Sequence, residues 1–362
     1  MARPILRSRT TTWHSYWVQA VVRNAVFDAY WRFAGARQAI FDRRWSGAPA
    51  PWTDDPILQQ YKFCNTFRAA DRVTQYLLSQ VIYHPHHQDL APEDVFCRIV
   101  LFRLFSKPET WRVLDSPEHP LTVATLDPEH HGNLLTRLKK RQPIYTGAFI
   151  LAPPASGSGS KHQHHLSLVK KMFAQGELGH QLGRARSLKQ VVEALLAWPT
   201  IGPFLAYQIA TDLNYSTFFQ FSENDFTLPG PGALRGMRKV FLDPRERSPQ
   251  NLVLDMVEEQ ETHFARLELE FNGLFGRRLH AIDCQGLFCE IDKYSRVAFP
   301  ELKSARVRIK QTFRPTGPLP PLVFPAHWKL NPSAATRAET LHGPFQTDGQ
   351  LSLITSGAVV TL

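Results

Sequence analysis

The stretch from Trp198 to Gly236 constrains the fold of this chain more than any other. The preceding segment, Leu188–Ala197, carries apolar residues at the spacing of one helical face. A second helix-like segment covers Phe204–Leu213, and the residues between the two include Gly202 followed by a proline. The pattern therefore predicts two helices joined by a tight hairpin.

Such a hairpin has a use in binding nucleic acid. A helix N-terminus that follows a turn presents backbone N–H groups and the positive end of the helix dipole, which suits a phosphate oxygen. A second turn, Gly230–Gly232, leads into a basic segment, and its glycines allow close approach to a sugar-phosphate chain. The plainer alternative is an ordinary connection between helices. The residues expected to bind the DNA backbone are Thr200, Gly202, Phe204, Gly230, Gly232, Arg235, Arg238 and Lys239.

Composition agrees with a polyanionic partner. The chain has 42 Lys and Arg against 32 Asp and Glu, and its isoelectric point is about 9.6. The sequence shows four cysteines and no secretory signal pattern, which predicts a reducing, cytoplasmic setting. No apolar run approaches the roughly 20 residues that span a bilayer, so no membrane partner is expected.

A polar stripe marks the segment Ile57–Tyr83, which we predict to be one helix. Polar residues recur there at steps of three and four, and they therefore share one face. A solvated face usually carries flexible Lys and Glu, so this face is expected to line a pocket. Its members are Asn65, Arg68, Asp71, Arg72 and Gln75.

Four blocks of sequence in one order resemble a known family. They are FCNTFRAADRVTQYLL at Phe63–Leu78, GPFLAYQIATDLNYS at Gly202–Ser216, GPGALRGMRK at Gly230–Lys239 and DCQGLFCEIDKYSR at Asp283–Arg296. The chain resembles the alpha-glutamyl/putrescinyl-thymine pyrophosphorylase family, also described as the helical domain of 5-hydroxymethyluracil DNA kinases. The resemblance covers about residues 55–315. It implies a fold related to helix-hairpin-helix DNA glycosylases and chemistry at hypermodified pyrimidines.

The resemblance also assigns roles. In the glycosylase superfamily a catalytic Asp follows the second helix, which implies that Asp225 is catalytic. Thr200 replaces the first glycine of the hairpin pattern. No lysine lies within 204–208, so a Schiff-base lyase step is not expected. Asn224, Gln285 and Lys293 are expected in the base pocket, although the last two have the alternative of pairing with the segment around Asn65.

The resulting architecture is mainly α, with a helix-hairpin-helix DNA-glycosylase-like fold and two helical lobes around a basic cleft. The predicted division is an N-terminal helical extension at 1–54, a catalytic domain at 55–315 and an irregular tail at 316–362.

Three functions fit this architecture. The preferred one is a monofunctional glycosylase of anti-phage defence. It excises a modified pyrimidine that is flipped from the DNA, and Asp225 stabilises the oxocarbenium-like sugar. The second is a transferase that hypermodifies a phosphorylated 5-hydroxymethyl pyrimidine by displacing pyrophosphate. The third is a non-catalytic reader of modified DNA. Each predicts double-stranded DNA with modified pyrimidines as the partner, and we expect a monomer.

No metal or cofactor is expected. The histidines of Tyr83–His87 are divided by a proline and fit a surface turn better than a metal site. The run Ala155–Lys161 departs from the G-x-x-x-x-G-K-[ST] pattern and is interpreted as a mobile loop that extends through His165. On this ground the chain is not expected to be the nucleotide-dependent kinase itself.

Overall fold

The computed structural model describes residues 25–147, 159–241, 247–302, 308–309, 311–314 and 319–330. The structure is mainly helical, as predicted. Within the described residues the α-helices are α1 Ala25–Trp45, α2 Pro56–Gln60, α3 Arg72–Tyr76, α4 Pro92–Phe105, α5 Pro108–Leu114, α6 Pro128–Lys139, α7 Lys161–Phe173, α8 Glu177–Arg184, α9 Leu188–Leu196, α10 Pro203–Asn214, α11 Pro231–Val240, α12 Pro249–Arg266 and α13 Ala281–Ala298. None of these helices is long and apolar enough to cross a membrane.

The chain divides into two compact units. Unit 1 comprises Met1–Arg68 and Thr227–Arg314, and unit 2 comprises Ala69–Phe226 and Pro315–Leu362. The domain bounds predicted above, at residues 54/55 and 315/316, stay a prediction. The start of the predicted extension, 1–24, and most of the predicted tail, 331–362, lie outside the described residues.

The core of unit 1 forms around the aromatic residues of α1. Tyr30 and Trp31 are fully buried. The Tyr30 hydroxyl donates a hydrogen bond to the carbonyl of Cys284 on α13 at 3.0 Å, which satisfies its only polar group. The Trp31 ring stacks on His263 of α12, with ring centroids 5.2 Å apart. These contacts join α1 to both α12 and α13.

Helices α11 and α13 approach closely at Gly236. A methyl group at this position would lie 1.9 Å from the carbonyl oxygen of Phe288 on α13, so only glycine fits. Gly236 therefore places the backbone of α11 directly against α13. This contact fixes which face of α11 carries Arg235, Arg238 and Lys239.

The core of unit 2 includes α4, in which every residue from Val95 to Phe105 is buried. Two arginines lie inside this helix. Arg98 is fully buried and pairs with Asp115, with Nη1 to Oδ1 at 2.5 Å and Nη2 to Oδ2 at 2.8 Å. Arg103 pairs with the buried carboxylate of Asp212 on α10. Unit 2 thus contains buried ion pairs among the apolar residues of this helix.

The prediction of one helix over Ile57–Tyr83 was wrong. The chain instead forms the short helix α2, a 3-10 turn at Arg68–Ala70, α3 and a π-helical turn at Leu77–Ile82. The helix ends early because Gln60 and Lys62 exchange backbone hydrogen bonds with Phe313 and Gln311, which holds Tyr61 extended. The predicted polar stripe is therefore not one face of one helix.

The predicted mobile loop is also wrong in its second half. Ser160 and Gln163 form a capping box, and α7 begins at Lys161, so His162, His164 and His165 are helical. Residues 148–158 lie outside the described part of the chain.

Two buried histidines of unit 2 should make its stability depend on pH. Burial, then the neighbouring Arg98, lowers the pKa of His87 from 6.5 to about 4. Burial, then Lys161, lowers the pKa of His165 to about 4. His87 is therefore not the surface residue that the turn prediction for Tyr83–His87 implied.

We expect the free energy of unfolding to fall as the pH falls. The depressed folded pKa means that the unfolded chain binds more protons between pH 6.5 and pH 4. The contribution of each histidine to the free energy of unfolding is therefore fully present above pH 6.5, the ordinary pKa, and is lost as the pH falls toward the folded pKa of about 4. From about pH 8 to about pH 6 the loss should be about 1 kcal/mol for each histidine. Urea unfolding at both pH values measures it, and His87→Gln should remove its share of the difference.

Candidate nucleic-acid interface

The two helices predicted on either side of Gly202 are present in unit 2 as α9 and α10, whereas the helix-hairpin-helix glycosylase-like fold and the basic cleft stay predictions. The Ser187 side chain caps α9 by accepting from the backbone N–H of Gln190 at 3.3 Å. Gly202 is the N-cap of α10 and Pro203 is its first residue, which is a favoured position for proline. No side chain caps α10. Its first turn therefore retains the geometry that suits a phosphate, with Phe204 in that turn.

Thr200 has the left-handed backbone conformation, with φ of +68°. This region favours glycine and is costly for a β-branched residue. Thr200 therefore has a backbone conformation that glycine adopts more easily, at the position where the hairpin pattern has its first glycine.

Thr200→Gly should stabilise the protein. The substitution removes the strain of a β-branched residue at positive φ, and the greater flexibility of glycine in the unfolded chain offsets part of the gain. We expect a net increase of about 0.5 kcal/mol in the free energy of unfolding, measured with urea. Thr200→Ala should gain less, because alanine retains a Cβ; an equal or greater gain for alanine would contradict this explanation.

The loop after α10 is anchored at both ends. The Asn214 side chain donates to the carbonyl of Phe221 and accepts from its N–H, both at 3.0 Å. Farther along, Glu223 accepts a hydrogen bond from the Trp328 indole at 2.8 Å. Asp225 follows in a turn, where it is exposed, and Asn224 is half-buried. The structure therefore presents the Asp225 carboxylate on a braced loop of unit 2.

In unit 1, two basic residues of α11 and one of α13 surround a buried carboxylate. Asp292 of α13 lies 3.1 Å from Arg235 Nε, 3.0 Å from Lys239 Nζ and 2.7 Å from Arg296 Nη2. Burial raises the pKa of Asp292, but hydrogen bonds from Lys239 and Arg296 outweigh it and hold the pKa below its ordinary value. Arg238 is exposed. Arg235 and Lys239 thus share their charge with Asp292, whereas Arg238 projects to solvent.

The same helices hold the glycine turn. Gly230 is the N-cap of α11, and no side chain caps this helix either. Gly232 lies in its first turn, where a methyl group would come within 2.9 Å of Cys289 Sγ. The start of α11 therefore repeats the Gly-Pro geometry of α10.

The predicted pocket residues of unit 1 lie along α13 and the segment that packs on it. Lys293 Nζ is 2.6 Å from Glu290 Oε1, and Glu290 Oε2 accepts from the N–H of Cys64, next to Asn65, at 3.1 Å. Asp283 accepts from the N–H of Arg68 at 2.9 Å. Helix α13 therefore binds the backbone of the Asn65 segment. Gln285 is buried.

The other predicted pocket residues belong to unit 2. Asp71 is the N-cap of α3, and Arg72 is exposed. Gln75 is buried and its amide bonds the carbonyl of Ala69 at 2.6 Å and both backbone groups of Val323. Gln75 thus anchors the segment around Val323. Their part in a base pocket stays a prediction, as do the roles of Asp225 and of the backbone-binding residues.

Sequence reasoning missed a cavity in unit 2. It has a volume of about 590 Å³ and lies between the start of α4, helix α8 and the loop after α10. The sequence feature that could have indicated this cavity is the aromatic-rich run Phe218-Phe219-Gln220-Phe221. Its lining includes Glu93, Phe96, Gly179, His180, Gly183, Arg186 and these four loop residues. Among the residues that the structure describes, no group of three His, Cys, Asp or Glu side chains is arranged to hold a metal ion.

Comparison with known proteins identifies the family. The family model described as "5-hmdU DNA kinase, helical domain" matches residues 24–304. The chain belongs to this family. A curated relative, the 5-hmdU DNA kinase of Bacillus phage SP10, is 26% identical over 299 residues. The match covers 78% of this chain and 45% of that protein, so the chain spans less than half the length of its relative. No solved structure matches the chain significantly.

These findings confirm the resemblance read from the four sequence blocks and correct the preferred function. Excision by a DNA glycosylase was the wrong choice, because both the family and the relative are described as DNA kinases. A kinase transfers a phosphoryl group and leaves the base attached to its sugar. Hydrolysis and anti-phage defence find no support in these comparisons. The transferase alternative fits them better.

Proposed function

We propose that the chain is a DNA-modifying transferase that acts on the 5-hydroxymethyl group of 5-hydroxymethyluracil in DNA. The observation that carries this proposal is the family match over residues 24–304, which includes parts of both units. The transferred group would be a phosphoryl group, as the name of the phage relative indicates. The proposed partner is double-stranded DNA bearing the modified pyrimidine, bound by one copy of the chain in the cytoplasm.

The charge of the chain and the starts of two helices support a DNA partner. The formal net charge is +10, which draws the chain to a polyanion. Helices α10 and α11 both begin with Gly-Pro and lack a side-chain cap. In this proposal each helix start contacts a phosphate in a manner independent of sequence, and the exposed Arg238 adds a charge contact.

The proposed reaction is phosphoryl transfer from a nucleoside triphosphate supplied with Mg²⁺. This reverses the expectation drawn from the missing G-x-x-x-x-G-K-[ST] loop, because the family and the relative are described as DNA kinases and protein kinases bind the triphosphate without that loop. The hydroxymethyl oxygen forms a bond to the γ-phosphorus, and the bond from that phosphorus to the bridging oxygen breaks. The products are a phosphorylated base in DNA and a nucleoside diphosphate. The hydroxyl proton must leave, and we assign its acceptance to the exposed carboxylate of Asp225.

Asp225→Asn should therefore slow the transfer by about a hundredfold or more, because an amide cannot accept the proton. DNA affinity should change little, since the substitution removes one exposed negative charge. Initial rates of label transfer from γ-labelled ATP to 5-hydroxymethyluracil DNA measure the effect. Asp89→Asn is the matched control, because Asp89 is another exposed carboxylate of unit 2. Equal rates for Asp225→Asn and the wild type would remove Asp225 from the reaction.

A further inference from the structure

The cavity in unit 2 has an aromatic wall. Phe96 of α4 and Phe219 are stacked, with ring centroids 5.1 Å apart and planes inclined by 19°. Phe218 meets Phe96 edge to face at 5.6 Å, and Phe221 lies 5.3 Å from Phe219. Phe96 and Phe219 are buried, but Phe218 remains 41% exposed. The packed rings thus support an exposed ring that has room to stack on a ligand.

The loop that carries these rings is fixed before any ligand binds. Asn214, which is itself buried, holds Phe221 through two backbone hydrogen bonds of 3.0 Å. Ser216 donates to the carbonyl of Leu213 at 2.6 Å, and Tyr83 donates to the carbonyl of Tyr215 at 2.5 Å. Because the loop is already ordered, binding a flat ring would cost little conformational entropy.

The remaining lining is polar and has a cationic edge. Arg186 and His180 are exposed beside the cavity, and the Arg186 guanidinium lies 3.5 Å from the carbonyl of Ala185. Gly179 and Gly183 of α8 line the cavity, and the Glu93 carboxylate packs over Gly179, where a methyl group would lie 2.4 Å from Glu93 Oε1. A methyl group at Gly183 would meet no atom within 4 Å, so this side of the cavity is open space.

We infer that this cavity binds a nucleotide, with the base stacked on Phe218 and the phosphate beside Arg186. The inference rests on the proposed function for its choice of ligand and deepens it by naming the pocket. An aromatic wall suits the face of any base, and a planar guanidinium suits a phosphate. The volume of about 590 Å³ lies in the range of small-molecule sites. The nucleotide belongs either to the DNA or to the phosphoryl donor, and the two share this chemistry.

Filling the cavity tests the inference without damaging the core. Gly183→Met places a side chain in the open space and replaces a helical glycine, so its melting temperature should equal or exceed that of the wild type. Phe218→Ser removes the exposed ring. Each variant should weaken nucleotide binding by about fivefold to a hundredfold, the range for one base-aromatic stacking contact. Gln181→Met, an exposed site on the same helix that does not line the cavity, and Phe275→Ser, an exposed ring of unit 1, should bind like the wild type.

Two titrations with the full chain separate the sources of the nucleotide. Calorimetry with ATP and anisotropy with a labelled duplex containing 5-hydroxymethyluracil are each run on the wild type and on both variants. Loss of ATP binding alone assigns the cavity to the donor, and loss of duplex binding alone assigns it to the DNA nucleotide. Arg186→Gln should make the affinity for the affected ligand depend less on salt concentration. Arg184→Gln, an equal charge change outside the cavity, should leave that dependence unchanged.

Two results would overturn the inference, and they are distinguishable. If the wild type binds both ligands and the Gly183→Met and Phe218→Ser variants bind them equally well, the cavity is not the nucleotide site, and the proposed function stands. If the wild type binds neither ATP nor the modified duplex, the proposed function fails as well.

Discussion

Arg98→Met should destabilise unit 2 by about 3–5 kcal/mol, the cost of removing one partner of a buried ion pair. Arg98 is fully buried, and besides its two bonds to Asp115 it donates to the carbonyl of Leu121 at 3.0 Å. Methionine fills much of the same volume but leaves the Asp115 carboxylate inside the protein without its countercharge. Urea unfolding of the full chain, followed by far-ultraviolet circular dichroism, measures the loss.

The control for this prediction is Arg137→Met, because Arg137 is exposed on α6 of the same unit. It should change the free energy of unfolding by less than about 0.5 kcal/mol. A double-mutant cycle with Asp115→Asn isolates the pair itself. Asp115 also accepts from the N–H of Leu121 at 2.8 Å and from the Trp111 indole at 3.1 Å, so its substitution alone should also be costly. A loss below about 1 kcal/mol for Arg98→Met would contradict the buried pair.

Gly236→Ala should cost about 3 kcal/mol or more, because the added methyl group meets backbone and not a movable side chain. It would lie 1.9 Å from the Phe288 carbonyl oxygen and 2.7 Å from its carbonyl carbon. Relief requires α11 to move away from α13. That movement should also disturb the approach of Arg235 and Lys239 to Asp292, so a weaker DNA affinity should accompany the lost stability.

Gly286→Ala on α13 is the matched control. A methyl group there meets no atom within 4 Å, so the substitution should stabilise the helix by about 1 kcal/mol through helix propensity alone. The two glycines differ only in what surrounds the added methyl group. If both substitutions stabilise the protein, the close approach of α11 to α13 is refuted.

The sequence predicted the elements whose ends carry strong local signals. Gly202-Pro203 and Gly230-Pro231 begin α10 and α11 as expected, because proline suits the first helical position and the chain must turn before it. The capping box of Ser160 and Gln163 carried a similar signal, and overlooking it led to the wrong interpretation of the loop that extends through His165. Local chemistry thus determined these boundaries.

Long-range contacts explain what the sequence could not predict. The segment Ile57–Tyr83 has helical spacing, but backbone pairing with Gln311 and Phe313, about 250 residues away, ends α2. The buried partners of Arg98 and Arg103 lie on other elements, so the apolar pattern of α4 gave no sign of them. Asp292 likewise joins α11 to α13 only in the folded chain.

The family resemblance was predicted correctly, and the reaction was not. Four ordered blocks were enough to identify the family that the match over residues 24–304 now shows. The preference for base excision came from an expected likeness to DNA glycosylases in fold, and a fold can serve several chemistries. The residues alone left transfer and excision open, because both need a DNA-binding surface, a base pocket and a carboxylate.

The most direct test of the proposed phosphoryl transfer is nucleoside mass spectrometry of modified DNA after incubation with the full chain. Duplexes that contain 5-hydroxymethyluracil or thymine at one position are treated with Mg²⁺ and ATP, then digested to nucleosides. Phosphoryl transfer to the hydroxymethyl group should give a phosphorylated hydroxymethyl nucleoside from the first duplex only, with no free base and no abasic site. An unchanged nucleoside in both duplexes, or a released base, would contradict it.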